Sequence, residues 1–492
     1  LYYFIILWDQ PVWWDEGDYL AVAKELVNGG ERPEWWSHFT GMRPLLMPLV
    51  WGFMFLINLP EPVVKFLTLL IPSVATVIIT YKLGKDLYNK NVGLIAAVML
   101  SVYWVHSFYT FRFLTDIPAM FFGMLAVYFF WSQYITNEKY SGLYLAMVFG
   151  VLAFSTRFPL ALVPISFCIY LLSVRGLKIF KDKVFWRGIG FGALTLLPYM
   201  IYFIKTNFAV LQFYFGESAV SIKTPIWTAF KTILPQIPFL MKSIWFVCLL
   251  IGVASLYKLF IGFDLVFKQK TKELNSDYFI FLWVILTLFL YIVIVRAAND
   301  RWLLMLMPPL FYLSAKGIMI LHNLVKKYSK SIAILIVLFL VFGGMYQHID
   351  HNHKLIMSKT DTYQEEKLAG LWLKENTPEE ARIVTASIVQ NQYYSERQSY
   401  DFYTEKAKEI DCYDIYGNVK NTPDCLTKTE KFFEKKVKDI GADYMIIHIF
   451  EPVFTPPWAY SYPLRNPEKL EPIQAYLSAD GSPILAIYKF KD

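Results

Sequence analysis

Three carboxylates stand within four positions in WWDEGDYL, residues 13–20: Asp15, Glu16 and Asp18. A fourth acid, Asp116, sits between two apolar runs in FRFLTDIPAMFF, 111–122. Two arginines occupy comparable places, Arg157 in STRFPLALVP (155–164) and Arg301 in RAANDRWLLMLMPPL (296–310). Together these side chains suit one kind of chemistry. A guanidinium matches a phosphate in bidentate fashion. A carboxylate beside it takes a proton from an attacking hydroxyl. Ionised groups next to hydrocarbon are costly and, when present, face a polar cavity or a partner. A phosphate held at a membrane with a base nearby implies a lipid-phosphate substrate undergoing group transfer. Each residue also has a plainer reading. Asp15 serves equally as the N-cap of a following helix, with Glu16 and Asp18 as first-turn acids favoured by its dipole. Asp116, followed by Ile117 and Pro118, reads as a helix start. Arg157 reads as a snorkelling side chain. Asp15, Glu16 and Asp116 also have the oxygen ligands a divalent metal takes, so a metal stays open.

The elements that must position these residues follow from composition. The chain has 492 residues, 56% hydrophobic and only 18% charged, against roughly 45–50% and 25% for a soluble domain. Long apolar runs fill residues 1–347, and charge concentrates after 350. The expectation is a polytopic α-helical membrane protein, residues 1–350 with a first loop at 9–61, followed by a C-terminal soluble domain at 351–492. The net charge of +7 does not point to nucleic acid, because Lys and Arg lie mostly in short loops. About eleven spans are expected, at 1–8, 62–81, 92–109, 117–135, 141–155, 157–174, 188–204, 236–257, 277–296, 302–322 and 331–347. The first apolar run, LYYFIILW, is far shorter than the ~20 residues a crossing needs, so the first helix is expected to be truncated. The segment 44–60, with three prolines, reads as a helix in the interface, with a transmembrane helix as the competing reading.

Basic residues favour cytoplasmic loops. They concentrate at 81–91, 137–140, 175–187, 258–273 and 326–330. The alternate loops, with Asp15, Glu16, Asp116, Arg157, Arg301 and everything after 348, are then extracytoplasmic. If 44–60 crossed the membrane, every later loop would change side and the basic loops would face outward.

Several stretches in order now resemble a family: DEGDY (15–19), GMRPLLMPLVW (41–51), FLTDIPAMF (113–121), DRWLLMLMPPL (300–310), and LWLKENTPEEARIVTAS (371–387) with GADYMIIHIF (441–450). They resemble the GT-C glycosyltransferases, in particular the protein O-mannosyltransferase and aminoarabinose-transferase group of prokaryotes and archaea. The resemblance implies a donor sugar on polyprenyl or dolichyl phosphate, a hydroxyl acceptor on a protein, lipid or glycan, and inversion at the anomeric carbon. It implies Asp15 as the base or the residue that orients the acceptor, assisted by Glu16, with Asp116 lining the same cavity. Arg43 would hold the donor phosphate, with Arg157 and Arg301 as further phosphate ligands and His38 and Lys205 as weaker ones. Many members of the group need no metal. The sequence departs where aminoarabinose transferases carry a Glu before the basic residue, for Met42 stands there. Substrate identity therefore does not carry across.

The soluble part is expected to be a small α/β or α+β domain, with a helix at 363–376, β-type runs at 382–389, 443–450 and 483–489, and a helix near 426–439. A disulfide between Cys412 and Cys425 is allowed in an oxidising compartment, although spacing alone does not establish it. The tyrosine-rich YYSERQSYDFY, 393–403, suits either glycan contact or packing. The expected role is to cover the membrane cavity or bind the acceptor. Two other classes compete. A transporter or flippase of lipid-linked sugars would show internal repeats and midplane charges, and neither is evident. In a non-catalytic scaffold the acids would only cap helices.

Overall fold

The computed structural model describes residues 2–7, 9–28, 44–205, 224–262, 272–403, 412, 419–452, 454–478 and 480–491. Contacts divide the chain into two compact units, Leu1–Pro33 with Lys359–Asp492, and Glu34–Ser358.

The second unit is helical. Among the described residues, eight helical stretches are long and apolar enough to cross a membrane: Glu61–Leu87, Asp116–Thr136, Phe158–Lys181, Lys183–Lys205, Ile226–Ile261, Lys272–Val295, Trp302–Lys326 and one that begins at Lys330. Shorter apolar helices run over Lys90–Val102 and Tyr140–Thr156. Each apolar run expected between 62 and 347 thus forms a helix, because hydrocarbon leaves backbone N–H and C=O groups no other partner. The outward faces are apolar. Helix Lys330–Lys359 exposes Ile334, Leu335, Phe339 and Phe342. In water such a surface would be an aggregation liability, and in lipid it is the stable one. The chain is an integral membrane protein.

Leu46–Leu56, within the segment of disputed placement, is a helix of 11 residues, about 16 Å long at ~1.5 Å per residue. That is half of the ~30 Å hydrocarbon thickness, which fits a helix lying in the interface. It is anchored by Trp51, whose Nε1 donates to Thr68 Oγ1 at 2.9 Å. At the centre of the bundle lies Trp302–Lys326, in which every residue from Met307 to Ile318 is buried. It meets helix Gln236–Ala254 at backbone distance. A Cβ on Gly317 would strike the Cys248 carbonyl, and one on Gly252 the Leu313 carbonyl. Small residues permit this approach, which supplies packing where lipid supplies no hydrophobic drive.

The first unit holds a five-stranded sheet in the order β2-β1-β3-β5-β4. Its strands are β1 Arg382–Val384, β2 Gln398–Tyr400, β3 Tyr444–His448, β4 Leu470–Leu477 and β5 Pro483–Phe490. β1 pairs in parallel with β2 and β3, and β5 pairs antiparallel with β3 and β4. All five residues of β3 are buried, as expected of a strand covered on both faces. Phe433 of helix Pro423–Ile440 packs with Val384, Met445 and Trp458 on one face. Ala369 and Leu373 of helix Gln364–Asn376 pack with Ile383, Ile446 and Ile487 on the other.

The expected β-run at 382–389 is corrected. Only Arg382–Val384 is strand, and Ile388–Ser395 is helix. The β-branched Ile388 and Val389 suggest a strand, but Val389 and Tyr393, four apart, are both buried, so helical burial overrides local preference. β2 and β4 escape the sequence reading because they are short or largely exposed.

Cys412 and Cys425 form a disulfide across a separation of 13 residues. Cys425→Ser is expected to lower the stability of this domain by roughly 3 kcal/mol, the loop-closure entropy of a ring this size. A denaturant titration that gives equal midpoints for the variant and the oxidised protein would exclude that contribution.

Candidate functional site

In the helical unit, Asp116 and Arg157 meet. Asp116 is the first residue of helix Asp116–Tyr128, preceded by Thr115, whose side chain makes no capping bond. Arg157 follows the last turn of helix Tyr140–Thr156 in an extended conformation. The two form a hydrogen-bonded ion pair through Arg157 Nη1 and Asp116 Oδ1, with side chains 17% and 2% exposed. Arg157 is therefore a paired, mostly buried cation and not a snorkelling one, because a carboxylate in reach offers more than distant water. Its guanidinium also lies 6.0 Å from the Trp302 ring centre, within cation–π range.

A third segment joins them. Both oxygens of Asp300 accept from the Tyr109 hydroxyl, at 3.2 and 3.3 Å, and one accepts from the Arg301 backbone N–H at 2.8 Å. Asn299 Oδ1 accepts from Trp302 N–H at 3.1 Å, opening the short helix Trp302–Leu306. The charges of Arg301 and Asp116 both act on Asp300. Asp116, Arg157 and Arg301, expected from sequence, thus share one region with Asp300, which the loop reading puts on the same face, and with Tyr109, which sequence reasoning missed. Buried Arg112, over the Phe108 ring at 6.0 Å, lies four residues before Asp116. Asp300 carries a signal, its place beside Arg301. Tyr109 carries none, since aromatic residues crowd its surroundings.

Burial raises the Asp300 carboxyl pKa above its ordinary value, and the bonds from Arg301 N–H and Tyr109 only partly offset this. A carboxyl whose pKa is raised on folding binds its proton more tightly when folded. Stability therefore falls as pH rises from the unfolded towards the folded value. Asp300→Asn keeps an acceptor and removes the buried charge. Its unfolding temperature relative to wild type is expected to be higher at pH 7 than at pH 4 in detergent micelles. An equal difference at both pH values would rule out a buried charge as the cause.

Beside this cluster runs an apolar groove lined by Val127, Leu160, Phe279, Trp283, Tyr291 and Met305. Leu160 lies three residues beyond Arg157, and the Tyr291 ring stacks near Trp302 at 6.5 Å. Two of its lining residues thus approach the charged cluster, while Asp116, Arg157, Asp300 and Arg301 do not themselves line it.

At the far ends of the same helices lies a second charged group. Asp277, fully buried, accepts from Lys316 Nζ at 2.8 and 2.7 Å and from the Tyr88 hydroxyl at 2.7 Å. Its acceptors are satisfied, so it is a structural staple between three helices.

The opening acids belong to the other unit. Helix Trp14–Asn28 begins one residue before Asp15, so Asp15 lies in its first turn and is not its N-cap. Capping falls to Glu16, 1% exposed, whose Oε2 accepts from Trp13 N–H at 2.9 Å. Asp18 is 0% exposed. Residues 16–23 are buried on every side, because Gly17, Ala21 and Ala23 leave room for close packing all round. Of the three acids only Asp15 is half-buried.

His38, Met42 and Arg43 lie outside the described residues. Lys205 is the exposed last residue of Lys183–Lys205 and makes no ion pair among the described residues. Among the described residues no group of three His, Cys, Asp or Glu gathers as a metal site, and Asp116 is engaged by a cation.

A bundle of apolar helices with a charged cluster where its loops meet, together with a small α/β unit, defines a class. It is the GT-C fold of membrane glycosyltransferases. More particularly, residues 42–202 match the family model of dolichyl-phosphate-mannose-protein mannosyltransferases. ArnT from Cupriavidus metallidurans, solved with undecaprenyl phosphate bound, superposes with a TM-score of 0.61 at 11% identity, over 99% of this chain and 95% of that one. The oligosaccharyltransferase AglB from Archaeoglobus fulgidus, in complex with an inhibitory peptide and a dolichol-phosphate, gives 0.53 at 12%, over 100% of this chain and 73% of that one. The arabinofuranosyltransferase AftD from Mycobacteria gives 0.57 at 11%, over 100% of this chain and 39% of that one. No curated protein matches the chain in sequence. At these identities the likeness is one of fold.

Proposed function

We propose that this protein is a glycosyltransferase that moves a sugar from a polyprenyl- or dolichyl-phosphate carrier to a hydroxyl of a protein, lipid or glycan, with inversion, on the extracytoplasmic side. The observation that carries the reading is the buried Arg157–Asp116 pair beside Trp302 in the apolar helical unit, with an apolar cavity nearby. A phosphate requires cationic donors and a prenyl chain requires apolar walls, and this unit offers both. The family model over 42–202 and the undecaprenyl phosphate and dolichol-phosphate of the similar structures support the same substrate class.

In this reading Arg157 and Arg301, with Arg43, bind the donor phosphate and stabilise it as it leaves. Asp116 holds Arg157 in place. Asp15 takes the proton of the acceptor hydroxyl as that oxygen attacks the anomeric carbon. His38 and Lys205 are secondary phosphate ligands. A metal is not needed for these steps. One AglB structure carries zinc and sulfate, so metal dependence is a measured variable in the test.

The test is transfer by the purified protein from a panel of polyprenyl-phosphate sugars (mannose, glucose, arabinose, aminoarabinose), with and without a chelator. One donor should be turned over to an inverted product. A protein that binds polyprenyl phosphate and turns over none of them, while moving a lipid-linked sugar across vesicles, would instead be the transporter.

A further inference from the structure

The C-terminal domain holds the helix that bears Asp15 at many points. Asp9 pairs with Lys367 at 2.6 Å, and Gln10 Nε2 donates to the Lys359 carbonyl at 2.8 Å. Val12 N–H donates to the Tyr394 hydroxyl at 2.8 Å, across 382 positions of sequence. Trp14 stacks on Phe454 at 5.4 Å, and Lys24 lies 4.1 Å from the Tyr393 ring centre. Gly17 faces Val389 so closely that an added Cβ would come within 2.8 Å of Val389 Cγ1. These contacts bracket Asp15 on both sides in sequence. They use four separate parts of the domain, including helix Ile388–Ser395.

We infer that the C-terminal domain is the positioning device for the Asp15 carboxylate, and that Val389 and Tyr394 are its positioning residues. This rests on Asp15 being the base. The domain's sheet presents helix Ile388–Ser395 as a rigid bed, and the first-loop helix lies on it. Val389 sets how closely the helix approaches, and Tyr394 sets where its chain enters. The tyrosines at 393 and 394 are thereby assigned to docking, not to glycan contact. A shift of the helix moves the proton acceptor away from the acceptor hydroxyl. Asp15 has no part in holding the donor phosphate in this reading, so a shift of it should lower kcat and spare the donor KM.

The experiment is a double-mutant cycle in the full-length protein, assayed with whichever panel donor the wild type turns over. Gly17→Ala is expected to lower kcat on the order of ten- to a hundred-fold, the scale of an ångström misplacement of a catalytic group, with the donor KM unchanged. In the Val389→Ala background, where the methyl that the added Cβ would strike is gone, the same substitution should cost at most a few-fold. Equal losses in both backgrounds would overturn the inference, because the effect would then be local to the helix. A raised donor KM at unchanged kcat would also overturn it.

Tyr394→Phe removes one oxygen and carries the test should Gly17→Ala not fold. It should lower kcat with the donor KM unchanged, and wild-type kcat would count against the inference. Hydrogen exchange over residues 14–24 needs no substrate and separates this inference from the reaction itself. Faster exchange in Tyr394→Phe is expected even where no donor is turned over. Unchanged protection would show that the domain does not hold the helix.

Discussion

Asp15→Asn is expected to lower sugar transfer by a factor of about 10²–10⁴, the usual contribution of a positioned general base, while the protein still folds and inserts. The structure separates the two effects. Helix capping belongs to Glu16, which accepts Trp13 N–H, so the capping role that the sequence also allows for Asp15 is not Asp15's. Asn is nearly isosteric and keeps an acceptor oxygen, so the fold should survive the change at a cost of about 1 kcal/mol or less. Glu16→Gln should behave differently, with up to about 1 kcal/mol of stability lost from a weakened cap and a smaller loss of rate. The measurement is initial rate against thermal unfolding for both variants in the same detergent. Normal transfer by Asp15→Asn would falsify its role as base.

The second large effect is at Arg157. Arg157→Ala strands the Asp116 carboxylate at 2% exposure. Removing one partner of a buried ion pair costs about 3–5 kcal/mol, so this variant should be markedly unstable and should not bind donor. Stability and binding separate in the double variant Asp116→Asn with Arg157→Gln. It removes both charges and should recover most of the stability, yet it lacks the guanidinium fork and should bind polyprenyl phosphate at least ten-fold more weakly, the cost of losing ~1.4 kcal/mol or more of charge-assisted bonding. Arg157→Lys keeps the charge without the fork and should fall between. Wild-type affinity in the double variant, measured by polyprenyl phosphate binding, would remove Arg157 from the phosphate site and leave the pair as a structural clip.

These predictions rest on geometry that the sequence shows unevenly. Arg157 and Asp116 are legible because each stands at the edge of an apolar run, and their ion pair follows from two helix ends meeting. Asp300 is visible as a neighbour of Arg301 on the same face, and its hydrogen bond to Tyr109 spans 191 positions. No periodicity reports such a bond. At the other end of the bundle, the Lys316–Asp277 staple escapes a reading of the sequence for the same reason. Lys316 lies inside an apolar helix, where a lone charge reads as noise until its partner is known.

The sequence by itself determined which stretches are membrane helices, where runs of charge interrupt them, and that a small α/β domain follows. Those are local properties, since a bilayer demands about 20 apolar residues per crossing and an apolar β-run such as Tyr444–His448 carries its own pattern. Only the tertiary structure decided which acids are buried, that 388–395 is helix and not strand, and that Leu1–Pro33 belongs with Lys359–Asp492. Burial is set by residues hundreds of positions away. Asp15, Glu16 and Asp18 look alike in WWDEGDYL, and it is the domain packed around them that leaves one half-exposed, makes one a cap and closes off the third.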